Sequence, residues 1–150
     1  RDVTSEKPNH SPASFVPKIV GDLVCSLDHA KKGVNDSGTV FWDTRLEGEY
    51  TGEINRGNAA DRVGHIPGAV HLEWSTLIEQ STQTIKPANE IRAILEAKGI
   101  TPDKEVLTYW QGGMRAAHAV MILKLMGYNK ARNYDGSFGD WSRQSDTPIE

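Results

Sequence analysis

The sequence predicts an α/β fold, an open parallel central sheet with helices on both faces. Short β-rich runs alternate with helical segments along the chain, the pattern of parallel strands joined by helical crossovers. Thr39-Val40-Phe41-Trp42 is β-branched or aromatic throughout, as a strand covered on both faces should be. Polar residues then collect at Asp43-Thr44-Arg45, the C-terminal end of that strand, and ligands of open α/β sheets sit on that edge.

Arg1–Pro17 is polar, carries prolines and shows no apolar periodicity, so it reads as a linker or lead-in arm ahead of one domain over residues 18–150. Lys18–Val24, with Ile19, Val20, Leu23 and Val24, predicts a short edge strand. Ser26 offers an N-cap, Asp28 suits the first turn, and Lys31, Lys32 and Gly33 suit a C-terminus, so a short helix is expected over Ser26–Lys32. Asn35-Asp36-Ser37 fits an N-glycosylation triplet but reads as a turn before the Thr39 strand. From Leu46 to Gly64 the chain is polar and glycine-containing, a surface excursion with one helical turn near Glu49-Tyr50.

Pro67-Gly68 marks a turn, and Ala69–Leu72 reads as a third strand, followed by a helical turn at Trp74–Ile78. Pro87–Lys98 is amphipathic: Ile91, Ile94 and Leu95 share a face, and Gly99 supplies the stop. Thr101–Lys104 turns the chain into a strand at Glu105–Tyr109. Ala116–Met126 is a helix broken in its apolar surface only by His118 and Lys124, and is expected to be largely buried. Ala131–Tyr134 is the last strand, and Phe138–Arg143 a short helical stretch carrying Trp141.

Composition narrows the function classes. With 150 residues the chain forms one domain that buries roughly 70% of its unfolded surface. A net charge of −3 gives no electrostatic case for nucleic acid or a membrane surface. No apolar run approaches the ~18 residues of a membrane span. The start at Arg1, with no signal-peptide pattern, reads as a processed product or a fragment. The only cysteine, Cys25, excludes an internal disulfide and a cysteine-based zinc cluster, and leans the compartment toward the cytosol. The 5 histidines are dispersed, His65 and His71 being separated by a Pro-Gly turn. No Gly-x-Ser-x-Gly or phosphate-binding lysine motif supports a hydrolase or nucleotide reading, and neither a metal nor a cofactor is expected.

The stretch that carries chemistry runs from Glu105 through the loop Trp110-Gln111-Gly112-Gly113-Met114-Arg115 into the following helix. A strand, a tight glycine-containing loop and a helix N-terminus build an anion cradle, because successive N–H groups converge and the helix dipole adds partial positive charge. The residue that ends the strand is the natural place for a nucleophile. Here it is Trp110, which has no nucleophilic atom.

Four segments, Asp43-Thr44-Arg45, Gly64-His65-Ile66-Pro67-Gly68-Ala69, Tyr109–Ala116 and Gly136-Ser137-Phe138-Gly139-Asp140-Trp141, resemble the rhodanese (sulfurtransferase) domain in order and separation, over about Lys18–Glu150. The closing Asp146–Glu150 looks like the end of the second domain of two-domain rhodaneses. The resemblance implies a rhodanese-like fold and a loop whose first residue, a cysteine, carries sulfane sulfur as a persulfide from thiosulfate to a thiophilic acceptor such as cyanide. It places Trp110 at the cysteine position, gives Arg115 the role of meeting substrate charge, and leaves Asp43 and Arg45 to brace the loop. His65 is then a turn-satisfying residue.

A phosphatase relative of the same fold would need the arginine one residue later, where this chain has Ala116. The expectation is therefore a rhodanese-homology domain silent for sulfur transfer, a pseudoenzyme in this form. One alternative is a thiosulfate sulfurtransferase domain whose cysteine is substituted in this copy. Another is a non-catalytic module that binds a small anion such as thiosulfate or sulfate, or a partner. A second rhodanese-like domain in the same chain is the partner the resemblance suggests.

Overall fold

In chain order the elements are β1 (Val24–Cys25), α1 (Leu27–Gly33), β2 (Thr39–Asp43), α2 (Glu47–Tyr50), β3 (Val70–His71), β4 (Ile78–Glu79), β5 (Thr84–Ile85), α3 (Ala88–Ala97), β6 (Glu105–Tyr109), α4 (Met114–Leu125), β7 (Ala131–Tyr134) and α5 (Ser137–Trp141), with 3-10 turns at Gly21–Leu23 and Trp74–Leu77. They come from a computed structural model that describes residues 3–9, 11–18, 21–58 and 61–150. A 5-stranded sheet has the order β1-β7-β6-β2-β3, and β4 pairs with β5 in a separate hairpin. Every pairing in the large sheet is parallel, so the C-terminal ends of its strands share one edge.

Strand alternation divides the core. Val40 and Trp42 of β2 and Val106 of β6 face the side covered by α3 and α4, where they join Ile91, Leu95, Ala119, Ile122 and Leu123. Phe41 and Leu107 face the other side, where α1 and α5 bring Ala30, Phe138 and Trp141. The α/β sheet with helices on both faces is thus present as expected. Trp42 illustrates how a large polar-tipped ring is tolerated at the centre: it is fully buried, and its indole N–H donates to the Leu72 carbonyl at 2.7 Å.

Several local expectations need correction. The edge strand begins only at Val24, because Gly21–Leu23 is a 3-10 turn; Ile19 and Val20 lie outside the described residues, as do Arg1, Asp2 and His10 of the lead-in. Ser26 does cap α1, accepting the His29 N–H at 3.3 Å. The excursion after Leu46 is not wholly superficial: Glu49 of α2 is buried, and one carboxylate oxygen accepts the Leu46 N–H at 3.2 Å. Pro87 caps α3 from outside the helix. Helix α4 starts at Met114, directly after Gly113, which adopts φ +82.

Nor is α4 largely buried. Ala119, Val120, Ile122 and Leu123 pack inward, while Met114, Met121 and Leu125 are 77%, 46% and 73% exposed. A helix lying on one sheet face needs only one apolar stripe, so the second stripe remains outside. Leu123→Ala should therefore cost about 2–5 kcal/mol in urea unfolding, whereas Leu125→Ala should stay within about 0.5 kcal/mol.

Candidate functional site

Asp43, Tyr109 and Tyr134 end neighbouring strands at the C-terminal edge of the sheet, and the loop Trp110–Gly113 lies on that edge. Below it sits a buried ion pair. The Arg45 Nε donates to both Asp43 oxygens at 3.0 Å, and its Nη2 donates to Oδ2 at 2.6 Å and to the Gly64 carbonyl at 2.7 Å. Asp43 is 0% and Arg45 2% exposed. Burial pulls the Arg45 guanidinium down, but the hydrogen bond and charge of Asp43 outweigh it and hold it above its ordinary value. The guanidinium also lies 3.9 Å from the Phe138 ring centroid, so Asp43, the Gly64 turn and α5 meet at one cation.

Tyr109 is enclosed beside this pair. Burial and then the Asp43 charge push its hydroxyl well above the usual range, and its oxygen accepts the Ile66 N–H at 3.3 Å. It remains a neutral structural group. His65 has a similar part in the Gly64–Ala69 turn, stacking on Tyr50 at 3.7 Å while its Nδ1 lies 3.0 Å from the Tyr50 carbonyl oxygen.

The loop itself is shaped from α5 and β7. The Trp110 N–H donates to Ser137 Oγ at 3.2 Å, the Phe138 N–H to the Trp110 carbonyl at 2.8 Å, and the Gly139 N–H to the Gln111 carbonyl at 3.0 Å. Asn133 Nδ2 donates to the Gly113 carbonyl at 3.3 Å. Gly113 has to be glycine on two counts: its φ is +82, and a Cβ would lie 2.7 Å from Asp135 Oδ1. Among the described residues, the N–H groups of Gln111 to Ala116 donate to no protein acceptor, as the first turn of a helix leaves them.

Two groups of side chains surround the loop. In one, the Arg115 guanidinium lies over two indoles, 4.6 Å from the Trp110 ring and 5.3 Å from the Trp74 ring. Trp74 in turn meets His118 edge-on at 5.6 Å, and burial lowers the His118 pKa. A polar cleft of about 490 Å³ is lined by Arg56, Asn58, Gln111, Gly112, Asp140 and Arg143 among others. Trp110, Met114 and Arg115 are not among the residues lining this cleft.

The arginines that face the cleft, Arg56 and Arg143, come from the excursion and from just beyond α5. Each is held near a carboxylate, Glu49 at 3.5 Å and Asp61 at 3.3 Å respectively. The sequence alone does not mark them, because they become neighbours only when the excursion and the segment after α5 fold onto the loop.

Cys25 is elsewhere. It is buried on β1, two strands from β6, and its thiol donates to the Ser26 carbonyl at 3.3 Å. Burial, then the Glu105 charge, push its pKa up to about 12. Among the described residues no group of acidic, histidine or cysteine side chains is arranged to hold a metal ion.

A family model for the rhodanese-like domain matches residues 26–144. The chain belongs to the rhodanese-like domain family. The thiosulfate sulfurtransferase of Azotobacter vinelandii is 33% identical over 150 residues, covering 100% of this chain and 54% of the relative. The sulfur carrier protein TtuD of Thermus thermophilus is 32% identical over 160 residues, covering 99% of this chain and 55% of that protein. The chain thus spans about half the length of these curated relatives.

Among solved structures, the anaerobic ergothioneine biosynthesis enzyme from Chlorobium limicola, in complex with trimethyl histidine, superposes with a TM-score of 0.79 at 27% identity over 87% of this chain and 32% of that one. The wild-type structure of EanB gives a TM-score of 0.79 at 27% identity over 86% of this chain and 31% of that chain. These likenesses bear out the rhodanese-like fold. In addition, among the described residues, no helix of this rhodanese-like domain is long and apolar enough to cross a membrane.

Two measurements check the electrostatics of the site. Arg45→Ala strands a buried carboxylate and should destabilise the domain by about 3–5 kcal/mol in urea unfolding, while the double replacement Asp43→Leu with Arg45→Met should lose far less. Cys25, with its thiol pushed up to about 12, should resist alkylation by iodoacetamide at neutral pH and react only when the chain is unfolded. Alkylation of the native chain at the rate of an ordinary thiol would contradict its burial.

Proposed function

We propose that this rhodanese-like domain retains the family's anion cradle and, as it stands, does not transfer sulfur. The observation that carries the reading is Trp110, the first residue of the loop, at the position the family resemblance gives to the persulfide cysteine. Sulfur transfer needs a thiolate there. The thiolate attacks the sulfane sulfur of thiosulfate, a sulfur–sulfur bond forms, the bond to the sulfonate sulfur breaks, and sulfite leaves with the electron pair. The persulfide then passes its outer sulfur to cyanide, which becomes thiocyanate, and the thiolate is regenerated. An indole has no lone pair suited to the first step, and Cys25 is buried two strands away with its thiol protonated.

What remains is a set of unpaired N–H groups at the start of α4, beside a cleft that carries Arg56 and Arg143. This supports binding of a small anion of the thiosulfate or sulfate class as the domain's residual activity. The coverage of just over half of each relative supports a further domain in the parent protein, which the present domain would serve as a structural or regulatory partner.

The test is thiosulfate:cyanide transfer. Thiocyanate formation should be absent for the chain as given and should appear in the Trp110→Cys variant. Turnover with Trp110 in place would overturn the proposal, and an inactive but folded Trp110→Cys variant that binds no thiosulfate would show that the cradle is not retained.

A further inference from the structure

The loop's polarity is imposed from outside it. In a trans peptide the carbonyl of one residue and the N–H of the next point in opposite directions, and no cis peptide occurs among the described residues. The Trp110 carbonyl is held by the Phe138 N–H at 2.8 Å and the Gln111 carbonyl by the Gly139 N–H at 3.0 Å. With both carbonyls turned toward α5, the N–H groups of Gln111 and Gly112 must point away from it. The Gly113 carbonyl is taken by Asn133 Nδ2 at 3.3 Å and by the Ala117 N–H at 2.9 Å, which turns the Met114 N–H the opposite way.

Ser137 and Gly139 show what this anchoring requires. Ser137 is fully buried in the left-handed region, φ 55, where a side chain is strained. A glycine would take that backbone freely. Serine brings a hydroxyl instead, which accepts the Trp110 N–H at 3.2 Å and donates to the Tyr134 carbonyl at 2.9 Å. That bond ties down the one N–H at the strand end that would otherwise be free to turn. Gly139 adopts an ordinary φ, so its need is one of space: a Cβ would stand 2.7 Å from the Gln111 oxygen. Any side chain there pushes α5 off the loop and releases the carbonyls.

We propose that Ser137 and Gly139, with Asn133 opposite, are positioning residues that aim the loop's peptide dipoles, and that they decide whether negative charge is stabilised at residue 110. The proposal rests on reading Trp110–Arg115 as the sulfurtransferase loop, but its test does not depend on sulfur transfer. In the Trp110→Cys background the pH dependence of iodoacetamide alkylation reads the ionisation of the introduced thiol directly, because Cys25 is buried and silent. That thiol should reach half-maximal reactivity well below the ordinary value of about 8.5.

Adding Gly139→Ala should raise the half-point by about one pH unit, so that alkylation near neutral pH falls about tenfold. Ser137→Ala and Asn133→Ala should shift it in the same direction by less. Ser137→Gly should lose as much as Ser137→Ala although it relieves the backbone, which separates the hydroxyl's role from strain. Far-UV circular dichroism and the urea midpoint establish that each variant is folded, and the Ser137→Gly result decides the matter should Gly139→Ala unfold. A half-point near 8.5 in the Trp110→Cys background, or folded Ser137 and Gly139 variants that titrate like that background, would overturn the proposal. A low half-point without sulfur transfer would instead count against the reading of the loop's chemistry and leave the positioning role standing.

Discussion

One buried cation holds the C-terminal edge of the sheet together. Arg45 is compatible with a water-free interior only because Asp43 supplies a bidentate anion and the Gly64 carbonyl takes a further N–H. Its remaining face is covered by the Phe138 ring at 3.9 Å. Phe138 belongs to α5, and the backbone of α5 orders the first peptides of the loop. The chain of dependence therefore runs from Asp43 through Arg45 and Phe138 to Trp110. A fault in the ion pair would be felt at the loop even though neither charge touches it.

The loop's backbone and the side chain at its first residue can be considered separately. The N–H groups of Gln111 to Ala116 lack protein acceptors because of backbone geometry, which side-chain identity at residue 110 does not alter. The indole at Trp110 finds its own accommodation. It stacks with Arg115, which is shared with Trp74, so the side chain expected to meet substrate charge lies against two aromatic rings. The indole Nε1 is buried without an acceptor among the described residues. A buried donor without a partner is costly, and it marks Trp110 as a residue the surrounding pocket does not fully satisfy.

Much of the architecture was legible because apolar runs translate directly into buried strands. β7 occupies Ala131–Tyr134 as read, and β2 and β6 match their apolar runs to within a residue. The start of α4 is not legible in the sequence: its apolar run begins at Ala116, whereas the helix begins directly after Gly113, which is in the left-handed region. The β4–β5 hairpin was missed, its strands being two residues each and flanked by polar residues with no alternation. Nothing in the polar stretch after Leu46 announces that Glu49 is the carboxylate that becomes covered. Arg56 and Arg143 escaped for a different reason: their shared cleft exists only through packing of distant segments. The likeness to the rhodanese family, by contrast, could be read from its segments, since those residues lie together in the chain.

The central claim is that the persulfide cradle is intact and lacks only its sulfur. Intact-mass spectrometry after incubation with thiosulfate tests it most directly. The Trp110→Cys protein should gain the mass of one sulfur atom, removable by cyanide, while the chain with Trp110 should keep its mass. A sulfur adduct on the unsubstituted chain, or none on a folded Trp110→Cys protein, would contradict the account.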